Sequence, residues 1–474
     1  MKLKNQHEFS PKRIFIDASF TLGSGKSSGV ERVVRNLTRQ IGNFSSDGLL
    51  PKVESVVCHS EQFYLVDQAT EQRYHASAKM HRDVLSCLPS FYRPVASAVC
   101  GLLPNRTLRK WLLPESGHLG AFKLAHLAKE RIMHWQVANR ASPVQPQPGD
   151  LFILPDAYWV NRLQSTVWPA AESARAAGAK VATLLYDLIP LSHPQFVGAE
   201  RSRAFLDYLL CVASNSDMIV AISETVCKQA REFLGEIEPS THSDSADAHD
   251  PREFCEDLRS FELGCEINVD RCGDVRNHVR QAFATGDTPY LMVSTFDPRK
   301  NHGFLLDAFD QLWADGGTQR LVLVGRLGAK CDGTIERIQN HRLFGKQLFL
   351  FTDLSDAELQ YTYEHARGVV FPSVVEGFGL PIVESLSFGK RTIASDTSIH
   401  REVGRDDCVY FDLSSPRNLA REVLAWDRAV KAGEDKLEID RQLTTWRESA
   451  EQFMGHCLDL FSEPTRQSSS KRAA

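Results

Sequence analysis

A glycine-rich loop flanked by two glutamates is the most informative stretch of the chain. Residues 371–395 read FPSVVEGFGLPIVESLSFGKRTIAS, with seven residues between Glu376 and Glu384. Pro381 favours the first turn of a helix, so Glu376 would stand before the helix and Glu384 one to two turns inside it. Carboxylates accept hydrogen bonds from hydroxyl groups. The pair therefore predicts a site for a sugar and a ribose, whereas a purely structural role is the alternative.

The same loop also suits an anion. Gly377 and Gly379 let the backbone approach a ligand closely, since neither carries a side chain. The helix that follows would present its N-terminal N–H groups to a diphosphate. The spacing thus places a phosphate site beside the two carboxylates.

A second glycine-containing loop lies near the start of the chain, in FIDASFTLGSGKSSGVERVVRNL, residues 15–37. Its Gly-Lys-Ser tripeptide suggests a phosphate-binding loop of a nucleotide hydrolase, but Phe20 occupies the position of the required first glycine. Ser28 and Glu31 form a capping-box pattern, so the helix begins at Gly29, too late for such a loop. What is left is a strand, a turn and a helix N-terminus able to meet an anion. A plain connecting loop is the alternative.

Short apolar runs alternate with helical patterns through most of the chain, which predicts parallel α/β sheets. Such sheets bind ligands at the carboxyl ends of their strands. The candidate strands are residues 13–16, 151–154, 181–186, 218–222, 290–293, 321–324, 348–351, 369–371 and 392–395.

A length of 474 residues predicts two large domains that face each other across a cleft. An acidic, Ser/Asp/His-rich stretch at 236–257 is expected to be an exposed loop near the end of the first domain. The predicted units are 12–265, 286–430, a C-terminal helical segment at 431–462 and a disordered tail at 463–474.

Charge and cysteine usage narrow the classes of function. A formal net charge of -5 argues against nucleic-acid binding. Residues 88–140 hold eight Lys or Arg and two acids among apolar and aromatic residues, a pattern that suits contact with an anionic membrane; an ordinary solvated helical face is the alternative. Eleven cysteines without a C-x-x-C pair predict reduced thiols in the cytoplasm, and no apolar run approaches the length of a membrane span.

Five motifs together resemble one family: EGFGLPIVE, VSTFDPRKNHGFLLDAF (293–309), LLYDLIPL (184–191), SDMIVAISE (216–224) and the IDAS and SGVERVVRNL segments of the first loop and helix. They are similar to the retaining glycosyltransferases of family four, and most of all to bacterial mannosyltransferases of O-antigen and exopolysaccharide assembly. The resemblance implies the GT-B fold: two Rossmann-like domains across a cleft, the first on the acceptor side, the second binding nucleotide-sugar, with the C-terminal helix returning to the first.

The resemblance also implies roles for individual residues. Glu376 would hold hexose hydroxyls, Glu384 the ribose, and Lys300 the departing diphosphate. Arg299 beside it would assist, unless it is a solvated or structural charge. Backbone N–H groups that contact the diphosphate or sugar are expected at Phe378, Gly379, Leu380 and the Gly29 loop.

Two positions depart from the family pattern. Ser294 stands where the family often has a second basic residue, six positions before the phosphate-binding lysine. Tyr186 replaces a histidine found in many relatives, and its reference pKa of about 10 disqualifies it as a base near neutral pH. Asp187 beside it could orient a sugar or acceptor hydroxyl or simply cap a helix, and both roles stay open.

The sequence therefore predicts a metal-independent, cofactor-free retaining hexosyltransferase with Glu376, Lys300 and Asp187 as its catalytic residues. It would move mannose from GDP-mannose to a lipid-linked saccharide acceptor, in the cytoplasm or at the inner face of the cytoplasmic membrane. The alternatives are a UDP-hexose-dependent enzyme of the same fold and a non-catalytic nucleotide-sugar-binding assembly protein.

Overall fold

A computed structural model describes most of the chain. The described residues are 10–24, 29–66, 141–159, 164–236, 258–267, 274–284, 287–328, 330–434, 439 and 441–462. The basic stretch 88–140, the tail 463–474 and almost all of the acidic stretch 236–257 lie outside these ranges. The expectations for those three segments stay predictions.

The N-terminal sheet has seven strands in the order β3-β2-β1-β4-β5-β6-β7. Only β3 runs antiparallel, against β2, and every other neighbouring pair is parallel. The strands are β1 (Arg13–Asp17), β2 (Val53–His59), β3 (Gln62–Leu65), β4 (Asp150–Leu154), β5 (Lys180–Leu185), β6 (Met218–Ala221) and β7 (Arg259–Ser260).

The C-terminal sheet has six strands, all parallel, in the order β10-β9-β8-β11-β12-β13. They are β8 (Tyr290–Val293), β9 (Leu321–Val324), β10 (Leu348–Phe351), β11 (Gly368–Phe371), β12 (Thr392–Ser395) and β13 (Cys408–Phe411). In each sheet the order of the strands reverses at one point, between β1 and β4 in the first and between β8 and β11 in the second. This is the strand order of the Rossmann fold. The expected pair of Rossmann-like domains is confirmed.

All nine predicted strands are present, with ends that differ from the prediction by no more than one residue. Strands β2, β3, β7 and β13 are not among the nine predicted strands. They lie at or next to sheet edges, and each has half-buried positions. Such strands lack the continuous apolar run by which buried parallel strands are recognised.

Helices pack on both faces of each sheet and form a separate core cluster on each face. None of those within the described ranges is long and apolar enough to cross a membrane. Their bounds are α1 (Ser19–Ser24), α2 (Gly29–Ser46), α3 (Gln164–Ala176), α4 (Ile189–Ser192), α5 (Pro194–Val197), α6 (Ala199–Asn215), α7 (Glu224–Gly235), α8 (Asn277–Ala284), α9 (His302–Ala314), α10 (Asp332–Gln339), α11 (Asp356–Glu364), α12 (Leu380–Ser387), α13 (Ser398–Gly404), α14 (Pro416–Ala432) and α15 (Trp446–Ser462).

The first loop differs from the prediction. Helix α2 begins at Gly29 as expected, but α1 occupies residues that were expected to form a turn. The Asp156 carboxylate explains α1, because it accepts hydrogen bonds from the backbone N–H groups of Phe20 and Thr21, both at 2.8 Å. A cap supplied from 135 residues away has no local signature in the sequence.

Helix α8 ends before residue 286, the predicted start of the second domain. Its buried side chains, among them Val279 and Ala282, nevertheless pack against Leu291 and Val322 of the C-terminal sheet. The structure therefore places α8 with the C-terminal sheet.

The C-terminal helix α15 returns to the N-terminal domain, as the resemblance implied. Its buried Phe453 and Met454 share one core cluster with Ile14 of β1 and Leu37 of α2. The approach to this helix is tight, since a Cβ atom on Gly264 would lie 2.5 Å from the backbone nitrogen of Trp446. The linker at residue 264 thus requires glycine for reasons of space.

We expect Gly264→Ala to destabilise the protein by about 3 kcal/mol, because the two nearest obstructing atoms are the backbone nitrogen and Cα of Trp446, which cannot easily move away. Gly455→Ala is the matched control on α15, where nothing lies within 4 Å of an added Cβ. It should be neutral or stabilising by about 0.5 kcal/mol, because alanine favours helix. Urea unfolding measures both variants, and equal stability of the two would refute the steric account.

Candidate functional site

Two loops meet where the C-terminal sheet reverses its strand order. One follows β8 and ends in a short 3-10 turn, Pro298–Lys300, and the other follows β11 and contains Glu376. A hydrogen bond of 2.8 Å from the Val374 N–H to the Arg299 carbonyl ties the loops together. In doubly wound sheets this is where ligands bind. The topology alone thus brings the predicted residues Lys300 and Glu376 together.

The Glu376 carboxylate is bound by two cations. Lys300 Nζ donates to Oε1, and Arg299 Nη1 donates to Oε2 at 2.6 Å. Glu376 and Lys300 are buried, and Lys300 Nζ lies 5.4 Å from the centre of the Phe371 ring. Arg299 is accordingly a direct partner of Glu376 and belongs to the site.

The 3-10 turn aims both cations at the carboxylate. Asp297 Oδ1 accepts a hydrogen bond from the Arg299 N–H at 3.1 Å, and Pro298 fixes the first residue of the turn. Asn301 then adopts a left-handed conformation with φ 63°, which redirects the chain into α9. The side chains of Arg299 and Lys300 are in this way fixed by local backbone geometry.

The pKa values of this cluster reflect burial and close charges. Burial favours the neutral acid at Glu376, but the cations of Arg299 and Lys300 outweigh it and lower the pKa to about 2. Burial and the Arg299 guanidinium lower the pKa of Lys300 to about 8, against the opposing effect of Glu376. Glu376 is therefore firmly ionised, while the Lys300 cation is the weakly held charge of the cluster.

The Glu376 loop is docked on the N-terminal domain. Ser223 Oγ donates a hydrogen bond of 2.8 Å to the Gly377 carbonyl, and a Cβ atom on Gly377 would overlap the Tyr186 carbonyl oxygen. Gly379 has φ 107° and precedes α12 as its N-cap. Gly377 is thus required for the close approach of the two domains, whereas Gly379 is required by its left-handed backbone conformation.

Asp187 lies at this docking point. Its Oδ1 accepts a hydrogen bond from the Ile189 N–H at 3.0 Å, so it does cap the start of α4. It also lies within electrostatic range of the cluster, because the charges of Arg299, Glu376 and Lys300 all act on its carboxylate. Burial raises its pKa against the opposing field of Arg299. Capping and a place at the site are thus compatible.

Tyr186 has a structural role. It is buried, and its hydroxyl donates to the Pro155 carbonyl at 2.5 Å. Burial raises the pKa of Tyr186 well above its ordinary value. This hydroxyl stays protonated, in agreement with its exclusion as a base.

Glu384 lies one turn inside α12 and is 1 % exposed. Tyr363 donates to its Oε2 at 2.7 Å, and Arg32 donates to its Oε1 from α2 of the other domain. Sequence reasoning missed both partners. The position of Arg32 in the first turn after Gly29 was the available signal, whereas nothing local pointed to Tyr363.

The remaining predicted positions surround this arrangement. Gly29, at the exposed start of α2, stands one turn before Arg32, while Phe378 is buried and Leu380 half-buried at the start of α12. In the described parts of the chain, no group of three or more His, Cys, Asp or Glu side chains is arranged to hold a metal ion.

A neutral pair fills the position where the family often has a second cation. Ser294 is buried, and its hydroxyl lies 3.2 Å from Nε2 of His302. His302 stacks on Phe296 with ring centres 4.1 Å apart, and burial together with the Lys300 charge lowers its pKa to about 3. The positive charge of this loop therefore comes from Arg299 and Lys300.

Comparison with known proteins agrees with this architecture. Residues 275–426 match the model of the family "Glycosyl transferases group 1". The serotype-specific mannosyltransferase WbdA of Escherichia coli is 28 % identical over 287 residues, which is 59 % of this chain and 34 % of that protein. The O-antigen chain mannosyltransferase B of Escherichia coli is 35 % identical over 116 residues, 24 % of this chain and 30 % of that protein. The chain thus spans about a third of the length of the curated relatives it matches.

Among solved structures, sucrose-phosphate synthase from Thermosynechococcus elongatus superimposes with a TM-score of 0.54 at 16 % identity, over 95 % of this chain and 99 % of that one. At that identity the likeness supports the fold alone. Together with the two Rossmann-like sheets, these similarities lead to one conclusion: the chain has the GT-B fold, is similar to group 1 glycosyl transferases over residues 275–426, and resembles bacterial O-antigen mannosyltransferases.

Proposed function

We propose that the protein is a retaining hexosyltransferase that transfers mannose from GDP-mannose to a growing, lipid-linked polysaccharide. The observation that carries the proposal is the buried Glu376 carboxylate held by Lys300 and Arg299 at the reversal point of the C-terminal sheet. A hydroxyl-binding carboxylate beside two cations and a helix N-terminus suits a sugar diphosphate.

Donor binding would exchange partners within this cluster. The diphosphate brings negative charge to Lys300 and to the N–H groups at the start of α12. Lys300 then no longer depends on Glu376 for a compensating negative charge. Glu376 can then accept hydrogen bonds from hexose hydroxyls. Glu384, which lies one turn inside α12, would accept hydrogen bonds from the ribose hydroxyls.

Transfer requires that the bond between the anomeric carbon and the diphosphate oxygen breaks. Negative charge then develops on the leaving diphosphate and positive charge on the sugar, so the main electrostatic task is to stabilise the leaving group. Lys300 performs it in this proposal. The acceptor hydroxyl attacks the face that the nucleotide leaves and passes its proton to a phosphate oxygen, which retains configuration without a protein nucleophile. Asp187 would orient a hydroxyl of the sugar or acceptor.

The identity of the donor rests on similarity to proteins named as mannosyltransferases. A UDP-hexose donor and a non-catalytic nucleotide-sugar-binding role are the competing proposals. We further propose that no metal or cofactor takes part, and that the protein acts in the cytoplasm or at the inner membrane face. Contact with anionic lipid would be made by residues 88–140, which lie outside the described residues.

We expect GDP-mannose to give the largest thermal shift and turnover among GDP-, UDP-, ADP- and dTDP-sugars offered with a lipid-linked saccharide acceptor. A ligand that binds only the folded state at 100 times its Kd stabilises it by about 2.7 kcal/mol. Because no metal ion is proposed to take part in the reaction, removal of divalent cations with EDTA should leave turnover unchanged. Product formed from UDP-glucose but from no other donor would overturn the assignment of GDP-mannose. Binding of a nucleotide-sugar without turnover would favour the non-catalytic assembly role. The absence of a thermal shift with every nucleotide-sugar would contradict the proposed function.

Lys300→Ala should lower kcat/KM by about 100-fold or more, by analogy with the loss of one transition-state donor. Arg299→Ala is the matched control, since it removes the other cation of the same carboxylate. It should cost far less, because the Arg299 side chain is about a quarter exposed and Lys300 still neutralises Glu376. Circular dichroism verifies folding, and near-wild-type kinetics of folded Lys300→Ala would refute its role.

The expected pH dependence of kcat/KM for the donor follows from the lowered pKa of Lys300. The free protein carries the Lys300 cation below about pH 8 and loses it above, so kcat/KM for the donor should fall as the pH rises through that value. In Lys300→Arg the cation persists at high pH, so its residual kcat/KM should lack this fall. A wild-type profile that stays flat to about pH 9.5 would contradict the assignment.

A further inference from the structure

Glu384 is held from both domains at once. Oε2 accepts a hydrogen bond from the Tyr363 hydroxyl of the C-terminal domain, whereas Oε1 accepts one from Nη2 of Arg32 in the N-terminal domain. The two ends of the Arg32 bond are 352 residues apart in sequence. The orientation of this carboxylate thus depends on how the two domains meet.

The bonds from Arg32 and Tyr363 leave an acceptor position unused on each oxygen of Glu384. Each carboxylate oxygen has two acceptor positions, and the Arg32 and Tyr363 bonds use one on each. A ribose diol needs two acceptors at the separation that one carboxylate provides. Fixing the carboxylate from two sides presents the remaining positions in one orientation, which lowers the entropic cost of binding the diol.

Other hydrogen bonds between the two domains accompany the bond from Arg32 to Glu384. The Glu402 carboxylate of α13 accepts hydrogen bonds of 2.7 Å from the N–H groups of Glu224 and Thr225 at the start of α7. Ser223 adds the bond to the Gly377 carbonyl. These contacts join backbone to side chain, whereas the Arg32 bond ends on a carboxylate proposed to bind the donor.

We propose that Arg32 is a positioning residue for nucleotide recognition. It holds Glu384 in the ribose-binding orientation while the domains are docked and releases it when they separate. A nucleoside diphosphate consequently binds the docked state more tightly and favours docking by that difference in affinity. The proposal rests on the proposed function, because it takes Glu384 as the ribose-binding carboxylate.

The first experiment measures the Kd of GDP, and of UDP in parallel, by isothermal titration calorimetry. Arg32→Ala should raise Kd about tenfold for whichever nucleotide the wild type binds, and Arg32→Lys should restore part of that loss. Arg39→Ala, two turns along α2 at an exposed position, is the matched control and should stay within twofold. At saturating donor, kcat of Arg32→Ala should stay within about threefold, since a positioning role acts on binding.

A double-mutant cycle separates action through Glu384 from direct contact with the nucleotide. If Arg32 acts through Glu384, the double variant Arg32→Ala/Glu384→Gln binds no more weakly than Glu384→Gln alone. The 2′-deoxy form of the nucleotide should lose affinity for the wild type and lose less for Arg32→Ala. Fully additive effects would overturn the proposal.

The outcomes also separate this inference from the proposed function. Wild type that binds neither nucleotide would overturn both. If the wild type binds a nucleotide and Arg32→Ala and Arg32→Lys bind it with the same Kd, the role of Arg32 is overturned and the proposed function stands. If Arg32→Ala does not fold, Arg32→Lys, with its shorter and less geometrically defined donor, should still raise Kd measurably, and an unchanged Kd there overturns the proposal.

Discussion

The arrangement depends on one constraint: a buried carboxylate needs compensating charge. Glu376 meets it with Lys300 and Arg299, and loss of the carboxylate, or of both cations together, would leave an uncompensated charge in a buried place. The reversal of strand order brings their loops together, and the 3-10 turn at Pro298–Lys300 aims both cations at one carboxylate. The same pairing keeps the cations close to where a diphosphate would arrive.

The cluster is also part of the interface between the domains. Gly377 has no side chain, so the Glu376 loop can lie directly against the Tyr186 carbonyl, with Ser223 bonded to its backbone. Helix α15 leaves the C-terminal half of the chain and packs on α2, which carries Arg32. Forces that hold the domains together therefore act on both glutamates, on Glu376 through its loop and on Glu384 through Arg32.

Local patterns allowed much of the fold and site to be predicted. Buried parallel strands are continuous apolar runs, so nine were placed closely, and the loop-to-helix pattern located Glu376 and Glu384. Contacts between distant segments were not predictable. Helix α1 depends on a cap from Asp156, and Arg32 meets Glu384 only after two domains have folded. Sequence spacing cannot show which way the Arg299 side chain points, so it does not distinguish a solvated charge from a direct partner of Glu376.

A crystal structure of the protein with GDP bound would test the central claim most directly, that Lys300 changes partner from Glu376 to a diphosphate. The account predicts phosphate oxygens within hydrogen-bond distance of Lys300 Nζ and of the N–H groups at the start of α12. It also predicts the ribose on Glu384 and the Glu376 carboxylate released from Lys300. A nucleotide bound in the cleft with the Lys300–Glu376 pair intact and no phosphate contact to Lys300 would contradict it.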